Sequence, residues 1–380
     1  MKQGKLIRRA VSAVLAGCMM FTLLPVVAFA ASGTFTIGSN SYETETDIPE
    51  QELGGGTISY DAETHTLTLN DVNIEDSSHD WVIDFNDMDT LLNLVLVGKN
   101  ILNGHGGISA PKLKISGNGS LQVTATDFDG IAGAGQSEEN LTIGSDVDIT
   151  AMKGCAIVFN GSVRIEQDAT VKAKCRYSGI DCYDLTIDSA TEVNLESTEE
   201  GGNAICVRGD NDGTVAGTAN IKNSKLVLKS VYPAFYAKDG IEISGGSVEA
   251  VSTSDAGIFT RGELSITDAA KVHVSGYRGI CSNGQTTIGE ADIEIDSTDS
   301  SIVNPVQIEN GNKILSLKGG TDKESATVLD PDDFVWDHSD PNYIGKNAYL
   351  HIITGSVAGP DETPDPGSGY DASSAAGGAI

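Results

Sequence analysis

The chain has 380 residues, with 24 Lys and Arg against 54 Asp and Glu, a formal net charge of −30 at pH 7 and 44 glycines. So acidic a balance argues against nucleic acid and anionic membrane surfaces as partners. The first 30 residues have a basic start (Lys2, Lys5, Arg8, Arg9), an apolar run over 10–27 and Ala28-Phe29-Ala30. They read as a secretory signal peptide with cleavage expected after Ala30. Leu15-Ala16-Gly17-Cys18 also fits a lipoprotein box, but the chain stays apolar for nine residues after Cys18, where a lipidated cysteine normally begins a polar tether. Removal of the leader leaves 20 Lys and Arg against 54 Asp and Glu, a charge of −34. That field suits calcium or a neutral surface.

Residues 31–106 hold less regular apolar stretches, among them Phe35, Ile37, 57–61 and 66–74. An open solenoid end exposes both its core and a strand edge, so this segment is expected to be the N-terminal cap and first coils. From 107 onward a small residue followed by a large apolar one recurs: Gly107-Ile108, Gly130-Ile131, Ala156-Ile157, Gly179-Ile180, Ala204-Ile205, Ala234-Phe235, Gly257-Ile258, Gly279-Ile280 and Ser301-Ile302. The steps are 23, 26, 23, 25, 30, 23, 22 and 22 residues. Inside each step lie two apolar i, i+2 pairs, such as Leu185/Ile187 and Val193/Leu195. This spacing sets both side chains of a pair on one face of a short strand, giving three strands per coil. Turns such as Ser116-Gly117-Asn118-Gly119 tolerate tight reversals.

A strand pattern this rich in Gly and β-branched residues excludes helical repeats, and the longer apolar spacing of leucine-rich repeats is missing. The fold expected over 107–355 is therefore all-β: a single-stranded, right-handed parallel β-helix, or solenoid, with N- and C-terminal caps. A Pro/Asp/aromatic stretch at 330–336 leads to a closing strand over 348–353. Residues 356–380 lack apolar periodicity and read as a disordered linker or tail. The five cysteines after the leader are Cys155, Cys175, Cys182, Cys206 and Cys281. Their odd number and the absence of zinc-ligand spacing argue against a complete disulfide framework or a zinc site, and Cys175 reads as small apolar filler in the coil stack.

Tyr60-Asp61, Leu67-Thr68-Leu69-Asn70-Asp71-Val72 and Leu94-Val95-Leu96-Val97-Gly98-Lys99-Asn100-Ile101, followed by the Gly-Ile coils, resemble a family of secreted β-helix proteins of clostridia and related Gram-positive bacteria. The resemblance spans roughly 31–355. It implies a pectate-lyase-like architecture, carbohydrate binding, calcium sites and affinity for plant cell-wall polysaccharide. No catalytic or metal signature of the family matches residue by residue.

From the residues themselves, the sharpest pattern is aromatic. Phe128, Tyr177, Tyr232 and Tyr277 each lie three positions before the apolar residue of a dipeptide, with Gly154, Gly202 and Asp255 in the coils between. If the register holds, an aromatic recurs every second coil, about 9–10 Å apart. That is close to the disaccharide repeat of an extended β-linked glycan, and sugar faces stack on aromatic rings as other apolar C–H surfaces do. The competing reading is that the rings cover turn backbone. Arg208 and Arg261 each sit three residues past a coil dipeptide and are candidates on a shared face. The 30-residue step carries Arg208-Gly209-Asp210-Asn211-Asp212-Gly213-Thr214, which fails as an EF-hand because Arg208 and Ala219 would fill its end positions. A local calcium site of Asp210 and Asp212 with Asp181 or Asp184 is the metal expectation.

No Gly-x-Ser-x-Gly elbow or histidine metal spacing occurs, and carboxylate pairs are too common to single out. The sequence therefore points to a non-catalytic, calcium-assisted polysaccharide-binding β-helix, its partner a plant cell-wall or host glycan. It is expected as a monomer without membrane insertion of its mature domain, secreted by or displayed on a Gram-positive bacterium. A polysaccharide lyase or glycoside hydrolase on the same scaffold, and an adhesin or spacer, are the alternatives.

Overall fold

The computed structural model describes residues 33–133, 139–333, 340 and 343–356. The expected signal peptide with Cys18, residues 334–336 and the tail beyond Ser356 lie outside these. Among the described residues the regular structure is strand, apart from two short 3-10 turns at Pro331–Asp333 and Ile344–Lys346. The strands of successive repeats stack in parallel and in register, forming the three faces of a β-solenoid.

The first face holds the first apolar pair of each repeat, in strands such as Gly161–Ile165, Asp184–Asp188 and Thr218–Lys222. The second face holds the second pair, in Thr170–Cys175, Glu192–Ser197 and Lys225–Ser230. The third is built on the dipeptides, in short strands such as Ile180–Cys182, Ile205–Val207 and Phe235–Ala237. Its ladder sets Ile83, Ile108, Ile131, Ile157, Ile180, Ile205, Phe235, Ile258, Ile280 and Ile302 one above the other. All ten are fully buried, each contributing roughly 1.5–3 kcal/mol. The ladder begins one coil earlier than the dipeptides predict, because Val82-Ile83 lacks the small first residue.

That small residue has a steric cause. A Cβ on Gly107 would lie 2.2 Å from the Gly130 carbonyl oxygen, and one on Gly179 2.5 Å from that of Ala204. Between the first and second faces the chain repeatedly takes positive φ, at Gly117 (112°), Asp168 (66°), Asn223 (45°) and Asp268 (57°). Gly, Asn and Asp are the residues for which that region costs least.

The N-terminal end is antiparallel. Thr34–Ile37 pairs with Asn40–Glu43 and with Asn73–Phe85, while Ile48–Leu53, Gly56–Asp61 and Thr66–Asn70 form a meander whose last strand starts the parallel first face. Pro49, Glu50 and Glu52 on Ile48–Leu53 discourage further pairing of that edge. At the other end Tyr349–Ser356 runs antiparallel to Ala291–Val303 and to Asn312–Gly320, closing the second face. All five described cysteines are free; Cys175, Cys182 and Cys281 are buried, Cys155 and Cys206 half-buried.

Candidate functional site

The register places Phe128, Tyr177, Tyr232 and Tyr277 at the same turn, on the third, fifth, seventh and ninth coils counted from Ile83. Backbone bonds seat them there: Phe128 N–H donates to the His105 carbonyl at 2.8 Å, Tyr177 N–H to that of Gly154 at 3.2 Å and Tyr277 N–H to that of Asp255 at 2.9 Å. All four are exposed, at 42%, 42%, 44% and 47%. Two coils span about 9.5 Å. The glycines between them have a packing cause, since a Cβ on Gly154 or Gly202 would stand 2.4 Å from the carbonyl oxygen of Phe128 or Tyr177.

Trp81 extends the row to the first coil, where sequence spacing missed it. A ladder irregularity between Asp76 and Trp81 puts it two residues, not three, before Ile83. Its ring stacks on Phe128 with centroids 6.0 Å apart and planes 25° apart. Phe128 is thus part of a ring pair, whereas Tyr177, Tyr232 and Tyr277 have no aromatic ring against them among the described residues. The Arg176 guanidinium lies 5.4 Å from the centroid of Tyr177, and that of Arg278 5.8 Å from Tyr277.

The two candidate arginines differ. Arg208 is committed: its Nε donates to Asp181, its Nη2 to Asn160 Oδ1 at 2.9 Å, and its guanidinium lies 4.7 Å from the centroid of Tyr183. Arg261, two coils away, is exposed and has no carboxylate partner among the described residues. Burial pushes the Asp181 carboxyl above its ordinary value, with Arg208 opposing. It does the same to Asp129, whose Oδ1 accepts the Cys155 N–H at 2.7 Å.

The four candidate calcium ligands are spread out. Asp181 faces Arg208 on the third face, and Asp184, on the first, accepts the Thr218 hydroxyl at 2.6 Å. In the inserted turn Asp210 accepts the Thr214 hydroxyl and its N–H, the latter at 3.2 Å, while Asp212 is exposed. One oxygen of Asp210, Oδ1, is shielded and accepts no hydrogen bond. Among the described residues no group of three or more His, Cys, Asp or Glu is arranged to hold a metal ion. As placed, these four carboxylates do not form such a group.

A second row lies on the third face itself. From the fourth to the eighth coil the residue after the core residue of the third face is half-buried rather than enclosed, and it is Val158, Asp181, Cys206, Tyr236 and Phe259. Its signal is apolar side chains at positions that strand alternation turns to solvent. Two open grooves of about 290 Å³ lie instead on the second face, among solvated side chains of mixed charge such as Lys225, Glu249 and Lys271, or Asp148 and Lys172.

Parallel coils with an aromatic edge make this a solenoid that offers a long surface to a partner. Residues 50–322 match the model of a family described as carbohydrate-binding domain-containing protein. The chain belongs to that family. No curated protein and no solved structure matches it significantly.

Proposed function

We propose that this chain is an exported, non-catalytic polysaccharide-binding solenoid, displayed on or secreted from a Gram-positive cell. The observation that carries the reading is the row of exposed aromatic residues on alternate coils, at the repeat of an extended β-linked glycan, in a chain of a carbohydrate-binding family. Tyr177, Tyr232 and Tyr277 are its binding residues, with Phe128 and Trp81 closing the row. Calcium is the subordinate part of the proposal, supported by the net charge of −30 and by the unpartnered Asp210 Oδ1 beside exposed Asp212.

The test is binding to a panel of insoluble and oligomeric glycans. Tyr177→Ala with Tyr232→Ala is expected to weaken binding by roughly 1–3 kcal/mol with thermal unfolding almost unchanged. Lost stability without a binding defect would assign the rings to packing. A wild type that binds no glycan would pass the reading to an adhesin or spacer. The hydrolase alternative draws on two half-buried carboxyls, Asp129 and Asp181, which burial pushes above their ordinary values. Release of reducing ends that Asp129→Asn abolishes would establish it.

A further inference from the structure

Outward positions of a solvated strand face are normally polar. On the third face, from the sixth to the eighth coil, they are Cys206, Tyr236 and Phe259, paired in register one above the next. Tyr236 and Phe259 are half-buried, with ring centroids 5.7 Å apart and planes 35° apart. The exposed Arg261 follows Phe259 by two residues, on the coil stacked against that of Tyr236. Turns of the same stretch carry Tyr232 and Tyr277, the two most exposed rings of the row at 44% and 47%.

The charges beside the row decide what kind of glycan fits. Its cations are matched to carboxylates of the neighbouring coil: Lys153 to Asp127, Arg176 to Glu199 at 3.4 Å and Arg278 to Asp299 at 3.7 Å. These pairs leave little positive charge to neutralise a string of anions on a chain of net charge −30. A polyuronate or sulfated glycan here would meet like charge within a Debye length of about 8 Å. A neutral glycan offers apolar ring faces to Tyr and Phe, and hydroxyls that donate to carboxylates.

We infer that Tyr236 and Phe259 form the centre of the glycan site and that its ligand is a neutral β-linked polysaccharide. The chain lies along the sixth to ninth coils, with Tyr232 and Tyr277 at one edge and Arg261 donating to its hydroxyls at the other. This rests on the carbohydrate reading above and adds to it a place and a charge class.

The experiment is calorimetry or affinity electrophoresis with soluble neutral β-glucan, xylan and mannan against polygalacturonate, all in chelator. At least one neutral glycan is expected to bind, and polygalacturonate not. Tyr236→Thr with Phe259→Thr, which keeps strand-favouring residues, is expected to weaken neutral binding tenfold or more. Val158→Ala, on the same row at the fourth coil, is expected to leave it unchanged. Arg261→Ala, at an exposed side chain, supplies a second variant that keeps the fold and is expected to cost severalfold. Polygalacturonate binding as tightly as any neutral glycan would overturn the inference while sparing the proposed function. So would wild-type affinity in both the ring and Arg261 variants. Failure to bind any glycan, in chelator and again in millimolar calcium, would overturn both.

Discussion

A Cβ on Gly202 would stand 2.4 Å from the Tyr177 carbonyl oxygen, a backbone atom that cannot swing aside. Gly202→Ala is therefore expected to lower stability by about 1–3 kcal/mol, the range of overpacking. Tyr177, one coil below, leaves 42% of its surface in solvent. Its replacement by alanine removes no core volume and is expected to change stability by no more than about 0.5 kcal/mol. Urea unfolding of the two variants side by side separates the constraints. Equal losses would mean that the Tyr177 ring packs as firmly as the glycine beside it.

Within a strand the register makes a single inward charge decisive. Ile180 sits between Ile157 and Ile205 in the third-face ladder and is fully buried. Ile180→Asp places an unpaired carboxylate there at a cost of several kcal/mol, and circular dichroism is expected to show loss of cooperative melting. Unchanged melting would mean that the ladder runs in another register. This ladder was legible because one small-apolar dipeptide per coil encodes both a steric turn and a buried side chain. Trp81 was not legible, since a local irregularity shifts it by one position, nor was the start of the ladder at Ile83, where Val82 stands in the small residue's place. Tyr236 and Phe259 carry a sequence signal of their own, an aromatic residue one position past the dipeptide, where strand alternation turns the side chain outward. The ion pair of Asp181 with Arg208 was not legible, because the two lie 27 residues apart in a contact that only coil stacking creates.

For the molecule as a whole, calcium is expected to raise the melting temperature, because an ion held only by the folded state stabilises it by mass action. No difference between chelator and millimolar calcium would remove metal from the proposal, and a shift that survives Asp210→Ala with Asp212→Ala would place the ion elsewhere. The free cysteines report on the same folded state. Burial pushes the thiols of Cys155, Cys175 and Cys206 up to about 12 and that of Cys281 up to about 11, and it raises Cys182 well above its ordinary value. The thiolate is the reactive form, so at neutral pH burial in the closed stack slows thiol chemistry, most of all at Cys175, Cys182 and Cys281. They become reactive when their coils part. In a solenoid each coil leans only on its neighbours, and opening from the C-terminal end would bare Cys281 before the group between Cys155 and Cys206. Mass-resolved alkylation in mild denaturant then reads the direction in which the stack unravels, and simultaneous labelling of all five would show that it opens as one unit.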